Sequence, residues 1–150
     1  MKLDRLNRKI IQSLQKNAKQ SNTEIAKKIG ISSTSVGERI KKMEQQGIIE
    51  GYFIKLSNAK IGYPLKAIIT IRPFINSDEA DQILKTLKSF EEIIHFYRVT
   101  GDESVILECV FRDHKHLEKF LDTILKYGET KTLIVLSETP NMNSILAKEE

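Results

Sequence analysis

The sequence predicts an α+β protein, in which a winged-type helix-turn-helix domain is followed by a ferredoxin-like βαββαβ domain. Apolar residues recur at helical spacing through the first third of the 150-residue chain. Strand-like and helix-like segments then follow in the order β-α-β-β-α-β. A stretch of turn formers, "SNAKIGYP", separates the two patterns. We therefore expect domains at residues 1–56 and 65–140, a linker at 57–64 and a tail at 141–150.

The N-terminal third contains three predicted helices, each with a start or stop signal. The first, "LDRLNRKIIQSLQKN", spaces its apolar residues at i, i+3 and i+7, and the second is the short "SNTEIAKKIG". The third has one apolar stripe only, formed by Val36, Ile40 and Met43. Asp4 is expected in the first turn of the first helix, and the expected N-caps of the next two are Ser21 or Asn22, and Ser32. The expected stops are Gly30 and Gly47.

The remainder of the chain alternates between strand and helix signals. The segment "IIEGYFIKL" favours a strand or small hairpin around Gly51, and "LKAIITIRPFI" alternates like a strand with one dry face. A helix capped by Ser77 follows in "SDEADQILKTLKSF". The segment "IIHFYRVTGDESVILECVF" then predicts two strands joined at Gly101.

The last helix and strand complete the βαββαβ order. Helical spacing in "RDHKHLEKFLDTILKYG" predicts a helix that Gly128 stops. The segment "TKTLIVLSE" predicts the final strand, which Pro140 ends. Adjacent apolar residues in several strands indicate that both sheet faces are partly covered, as they would be in a homodimer that packs sheet against sheet.

The charge is divided unequally between the two parts. Residues 1–55 contain 12 Lys/Arg and 5 Asp/Glu, a net charge of +7, whereas residues 56–150 contain 12 and 15, a net charge of −3. A basic third joined to a mildly acidic remainder indicates an anion-binding module attached to a part that does not bind that anion.

Two short helices joined by "GIS" have the arrangement of a helix-turn-helix. Small hydroxyl residues at the start of the third helix allow close approach to a DNA groove, and basic residues further along suit phosphate contacts. Gly37 is unusual here because a glycine in mid-helix costs about 1 kcal/mol relative to alanine. The predicted contacts to double-stranded DNA are Ser32, Ser33, Thr34, Ser35, Glu38, Arg39 and Lys42.

Other function classes have little support in the sequence. No nucleophile-base motif or phosphate-binding loop is present, so we do not expect an enzyme. His114 and His116 are two residues apart on a predicted helix and do not face each other, so no metal site is expected. The lone Cys109 lies in an apolar run and is expected to be buried. No membrane span or secretory signal is evident, which favours a cytoplasmic protein without membrane contact.

The first 56 residues resemble the N-terminal domain of the Lrp/AsnC (leucine-responsive, or feast/famine) transcription regulators. The pieces "LDRLNRKIIQSLQ", "TEIAKKIGIS" and "ERIKKMEQQGII" follow in the family's order. Residues 65–139 likewise resemble the family's effector and oligomerisation domain, through "VTGDESVILECVF" and "TKTLIVL". The resemblance covers nearly the whole chain.

The resemblance implies a DNA-binding regulator of transcription with no cofactor. It implies homodimers that assemble further, often to octamers, and a free amino acid that binds between dimers. A glycine loop and a T-x-T pattern before the last strand would line the effector pocket, the threonines coming from a neighbouring subunit. The effector residues carried over are Arg98, Thr100, Gly101, Asp102, Ser104, Thr130 and Thr132.

Ser104 departs from the leucine-responsive type, which often has aspartate at this loop position. The asparagine-type regulators are more similar here, which favours a polar or uncharged contact to the effector side chain. Two other functions stay open at this stage: a nucleoid-associated protein that organises DNA broadly, and a ligand sensor or small-metabolite enzyme without operator specificity. Loss of DNA affinity with rising salt would separate the DNA-binding functions from a ligand sensor or a small-metabolite enzyme.

Overall fold

The computed structural model describes residues 3–74 and 84–138 of a chain that divides into two compact units. One unit contains the residues up to Ile54, and the other spans Lys55–Glu138. Each has its own apolar core. Among the described residues, no helix is long and apolar enough to cross a membrane.

The N-terminal unit contains the three predicted helices. Helix α1 spans Arg5–Lys16, α2 spans Asn22–Ile29, and α3 spans Ser33–Gln45. Short helices such as these are marginal alone and depend on tertiary packing. The five residues that form their shared buried core are Ile10, Ile25, Ala26, Val36 and Met43.

Side chains cap all three helices at their first turns. Asp4 lies one position before α1 and accepts a hydrogen bond from the Asn7 amide at 2.7 Å, so it caps the helix rather than belonging to its first turn. Ser21 and Glu24 form a reciprocal capping box at α2. Ser32 accepts from the Ser35 amide at 3.1 Å, which confirms the predicted start of α3.

Gly30 makes the tight turn between α2 and α3. Its φ of 78° lies in the left-handed region, where a residue with Cβ is disfavoured. Its amide donates to the carbonyl of Ala26 at 2.9 Å and so satisfies one of the last carbonyls of α2. The predicted helix-turn-helix is therefore confirmed.

The strand or hairpin predicted around Gly51 is not formed. Residues 50–57 contain neither helix nor strand, although their composition is strand-like. Phe53 is 88% exposed and Ile54 is 77% exposed. Strand propensity describes how well a side chain fits a paired, half-buried surface, and this segment has no ladder partner among the described residues.

The second unit has the predicted βαββαβ order in its described part. Its strands are β1 (Leu65–Pro73), β2 (Ile93–Arg98), β3 (Val105–Phe111) and β4 (Gly128–Ile134), and helix α4 spans His114–Ile124. Residues 84–87 are helical. The rest of the helix predicted before β2, with its cap Ser77, lies outside the described residues, as do Pro140 and the tail at 141–150.

The four strands form one antiparallel sheet in the order β2-β3-β1-β4. Strand β1 is therefore central, between β3 and β4. Its alternate residues Ala67, Ile69 and Ile71 are fully buried, because they face the core that α4 covers. Cys109 belongs to this core, and burial raises the pKa of its thiol to about 12. The prediction that Cys109 is buried is confirmed.

Gly128 begins β4 instead of ending the preceding helix. Helix α4 stops at Ile124, a short 3-10 turn follows, and the Gly128 backbone runs extended against the end of β1. A Cβ placed at Gly128 would lie 2.8 Å from Ile71 Cγ2 and closer still to the Arg72 carbonyl oxygen. The sequence motif of helix followed by glycine could not reveal this contact, because the partner lies on another strand.

Gly128→Ala is expected to lower the free energy of unfolding by about 1–3 kcal/mol, the usual cost of overpacking a tight site. The new methyl group must push β4 away from the β1 backbone. Urea unfolding of the second unit measures the effect. Lys131→Ala, at an exposed position of the same strand, is the control, because it adds no atom between β4 and β1. Equal stability of the two variants would contradict this interpretation.

Candidate nucleic-acid interface and effector site

Helix α3 presents one face to the core and another to solvent. Val36 and Met43 are fully buried, and Ile40 packs against the same core. The opposite face carries Glu38, Lys41 and Lys42, all exposed. This division follows from 3.6 residues per turn, which places the buried stripe and the charged residues on opposite sides of the helix.

The N-terminus of α3 is open and rich in hydrogen-bonding groups. Ser32, Ser33 and Thr34 are exposed, and Ser35 is half-buried. The cap satisfies the Ser35 amide, but the first amides of a helix have no intrahelical acceptor. Free amides, three hydroxyl groups and the positive end of the helix dipole therefore meet at one exposed point, which is a favourable arrangement for a phosphate or a base edge.

The exposed lysines of α3 are available to an anionic partner. Neither Lys41 nor Lys42 has an ion-pair partner in the part of the chain that the structure describes. Glu38 also lies on this face, so the surface has mixed charge close to the helix start and becomes basic one turn later.

Arg39, unlike these lysines, is already hydrogen-bonded within the protein. Its Nη1 donates to Asp4 Oδ2 at 2.6 Å and to Asn7 Oδ1 at 2.9 Å, so the guanidinium turns from α3 toward the start of α1. Its side chain is 29% exposed. A groove of about 360 Å³ lies beside this contact, and its lining residues are Asp4, Asn7, Ser35, Glu38, Arg39 and Lys42.

Gly37 lies on the other flank of α3, against the first turn of α2. A Cβ at this position would lie 3.0 Å from Asn22 Nδ2. The contact is with the end of an exposed side chain and not with the α2 backbone, so the glycine leaves room for Asn22 between the two helices.

The effector candidates of the second unit fall at one end of the sheet. Thr100, Gly101 and Asp102 belong to the loop between β2 and β3, which the Val99 amide closes by donating to the Ser104 carbonyl at 3.0 Å. Gly101 has a φ of 113°, a conformation that other residues rarely adopt. The loop is exposed at its tip, where a small ligand has access.

Arg98 and Thr130 lie in one row across the sheet but at opposite edges. Arg98 pairs with Val105, Val105 with Ile71, and Ile71 with Thr130. Three strand spacings separate the row's ends by about 14 Å. Thr132 lies two residues further along β4, beside Ile69. The structure therefore brings Arg98 to the loop but does not bring Thr130 or Thr132 to the same loop within one chain.

Arg72 is a residue that the sequence reasoning missed. Its Nε donates to the Asp102 carbonyl at 3.3 Å, and its Nη1 lies 3.4 Å from the Glu129 carboxylate. It thus links the β2–β3 loop to the start of β4 across the end of β1. The only signal in the sequence is a basic residue at a solvent-facing position of an alternating strand.

Gly37→Ala is expected to stabilise the N-terminal unit by roughly 0.5–1 kcal/mol, the helix-propensity gain over glycine. The gain is retained because the neighbouring atom is the end of the exposed Asn22 side chain, which can rotate away. Thermal unfolding followed by circular dichroism measures the change. A loss of stability would show instead that Asn22 cannot yield.

Comparison with known proteins places both units in one family. Residues 3–50 match the winged helix-turn-helix DNA-binding family, and residues 66–145 match the Lrp/AsnC ligand binding domain. The chain is 33% identical to the HTH-type transcriptional regulator LrpB of Bacillus subtilis over the full length of both proteins.

Solved structures agree with this match. The chain is similar to Escherichia coli AsnC with a TM-score of 0.84 and 32% identity, covering 98% of this chain and 100% of that one. It is also similar to a Neisseria meningitidis regulator solved with L-Met, with a TM-score of 0.87, 25% identity, and coverage of 97% of this chain and 96% of that one. The chain therefore belongs to the Lrp/AsnC family of transcriptional regulators.

Proposed function

We propose that this regulator binds double-stranded DNA through the exposed face of α3 and that its second unit assembles the chain and binds a free amino acid. The observation that carries the proposal is the open, capped N-terminus of α3, followed about two turns later by lysines that have no ion-pair partner among the described residues. The proposal places the protein in the cytoplasm with the DNA that it regulates and assigns it no catalytic role.

The start of α3 supplies the contacts that depend on close approach. Ser32 uses its oxygen to cap the helix, and its hydroxyl hydrogen stays available to a phosphate. Ser33 and Thr34 project from the first turn, where recognition helices meet base edges. Short hydroxyl side chains read bases only at close range, so these residues contribute to sequence preference.

The charged residues of α3 supply affinity. Lys42, and Lys41 beside it, suit phosphate contacts because neither is neutralised within the described chain. Glu38 repels phosphates and accepts hydrogen bonds from cytosine amino groups, so its proposed contribution is selectivity. Ser35 borders the groove beside Lys42 and is half-buried, which limits it to a peripheral contact.

The effector pocket is proposed at the β2–β3 loop. Amides of the exposed backbone around Gly101 suit the carboxylate of an amino acid, and Asp102 suits its ammonium group. Arg98 lies at the base of the loop, and Ser104 offers a neutral hydroxyl to the effector side chain. Arg98 and Thr130 are separated by about 14 Å across the sheet, which supports the view that Thr130 and Thr132 serve the loop of a neighbouring subunit.

The sheet face opposite the helices is the proposed dimer surface. Ile68, Ile106, Tyr97 and Leu133 share this face, and Tyr97 and Leu133 are each 49% exposed in one chain. Polar side chains of this face also interact with one another: Glu108 binds Lys66 and lies 3.0 Å from His95 Nδ1. A second copy stacked on this face would bury the apolar residues, and such dimers would assemble to octamers.

Lys42→Ala is expected to weaken binding to any duplex DNA and to lower the slope of log K against log salt by about 1, because one phosphate contact is lost. Fluorescence anisotropy with a labelled duplex at several salt concentrations measures both quantities. Lys119→Ala, an exposed lysine on α4, is the matched control and is expected to leave both unchanged. Equal effects of the two substitutions would refute the assignment of the α3 face.

At least one of the twenty amino acids is expected to raise the melting temperature of the second unit, since a ligand at 100 times its Kd stabilises the folded state by about 2.7 kcal/mol. Thr132→Val keeps the shape of the side chain and removes the hydroxyl, so it is expected to reduce the shift. Thr123→Val on α4 is the control. Absence of any shift with the wild-type protein would overturn effector binding.

A further inference from the structure

Helix α3 is fastened to the start of α1 by a polar contact between Asp4, Asn7 and Arg39, which we name the Arg39 lock. One guanidinium nitrogen, Nη1, donates to both Asp4 Oδ2 at 2.6 Å and Asn7 Oδ1 at 2.9 Å. These are charge-assisted bonds, which are stronger than neutral ones. The lock joins residues more than thirty positions apart in the chain.

Asn7 makes the lock difficult to open. It is 2% exposed, so its amide oxygen has no access to water and needs a partner inside the protein. Arg39 supplies that partner, and no buried side-chain polar atom among the described residues is left unsatisfied. Removal of the guanidinium would leave a buried acceptor without a donor, which is costly.

Asp4 holds the other side of the guanidinium while it caps α1. Its Oδ1 accepts from the Asn7 amide and its Oδ2 accepts from Arg39. The hydrogen bond from the Asn7 backbone and then the one from Arg39 keep the pKa of this carboxyl below its usual value. The same carboxylate therefore fixes the start of α1 and the orientation of α3.

The lock adds a restraint on the roll of α3 about its own axis, because it holds a flank of the helix that the apolar stripe does not cover. Helix α3 contacts the core through a single apolar stripe. On one flank Gly37 lies beside the Asn22 side chain of α2, and on the other Arg39 binds Asp4 at the start of α1. A roll of about 20° on a helix roughly 5–6 Å in radius moves surface atoms by about 2 Å. That displacement is enough to break a hydrogen bond to a base edge.

We propose that Arg39 is a positioning residue for DNA binding and not a phosphate contact. The lock sets the roll of α3 so that Thr34, Glu38 and Lys42, which lie at i, i+4 and i+8 on one side of the helix, face the DNA groove together. This inference rests on the proposed function. It has a counter-intuitive consequence: removing the negative charge of Asp4 from a DNA-binding unit should weaken DNA binding, whereas electrostatics alone would strengthen it.

Asp4→Asn tests this consequence directly. Asparagine caps helices as well as aspartate does, so α1 keeps its cap while the ion pair to Arg39 is lost. We expect duplex DNA to bind roughly tenfold more weakly, the scale of losing a hydrogen bond to a charged group. Glu50→Gln is the matched control, because it removes one negative charge from the same unit at an exposed position and should not weaken binding.

All affinities are measured by anisotropy with one labelled duplex, at a temperature where circular dichroism shows every variant folded, so a purely stabilising role would not change them. Arg39→Lys keeps the charge and lacks the guanidinium. The lock predicts that this variant also binds weakly, and that Arg39→Gln keeps the wild-type salt slope while Lys42→Ala lowers it by about 1.

Three results would overturn the proposal that Arg39 is a positioning residue. Asp4→Asn could bind as tightly as the wild type, Arg39→Lys could retain full affinity, or Arg39→Gln could reduce the salt slope as Lys42→Ala does. Any of these would make Arg39 a phosphate contact or an irrelevant residue while the wild-type protein still binds DNA. Absence of DNA binding by the wild type would instead overturn the proposed function, and the lock with it.

Discussion

The narrow apolar stripe of α3 is the constraint on which the N-terminal unit depends. Five residues form the buried core of three helices, and α3 contributes two of them, Val36 and Met43. Apolar burial holds the helices together, but it is non-directional. Capping side chains and the Arg39 contact add the directional restraint that apolar burial lacks. Under the proposed function, the DNA-facing groups therefore depend on a polar contact made by the adjacent flank of the same helix.

The second unit depends on a different constraint, which is that its central strand β1 has a neighbouring strand packed closely on each side. Strand β1 pairs with β3 and with β4, and at its end Gly128 lies so near the Arg72 backbone that no side chain fits. The same end of the sheet carries the β2–β3 loop, which Arg72 ties to β4. The end of the sheet at which the effector is proposed to bind is thus also the place where β4 lies closest to β1. The sheet face opposite the helices is the proposed dimer surface.

Much of this organisation could be predicted from the sequence, because helix periodicity, capping residues and the turn at Gly30 are local signals. The βαββαβ order was predictable for the same reason. The failures share one physical cause, which is dependence on distant partners. The segment around Gly51 has strand composition but no strand beside it among the described residues. The sequence marks Arg39 as a basic residue suited to phosphate, but it does not show that Asp4 and Asn7 bind it. Arg72 was missed because its partners come from two other segments.

The central claim is that the open N-terminus of α3 meets DNA, and hydrogen exchange resolved to single amides tests it most directly. The first amides of α3, at Ser33 and Thr34, have no acceptor within the helix and should exchange rapidly in the free protein. Addition of a saturating duplex should slow their exchange and leave the amides of β3 and α4 unchanged. Protection confined to the second unit, with Ser33 and Thr34 as fast as in the free protein, would contradict the account.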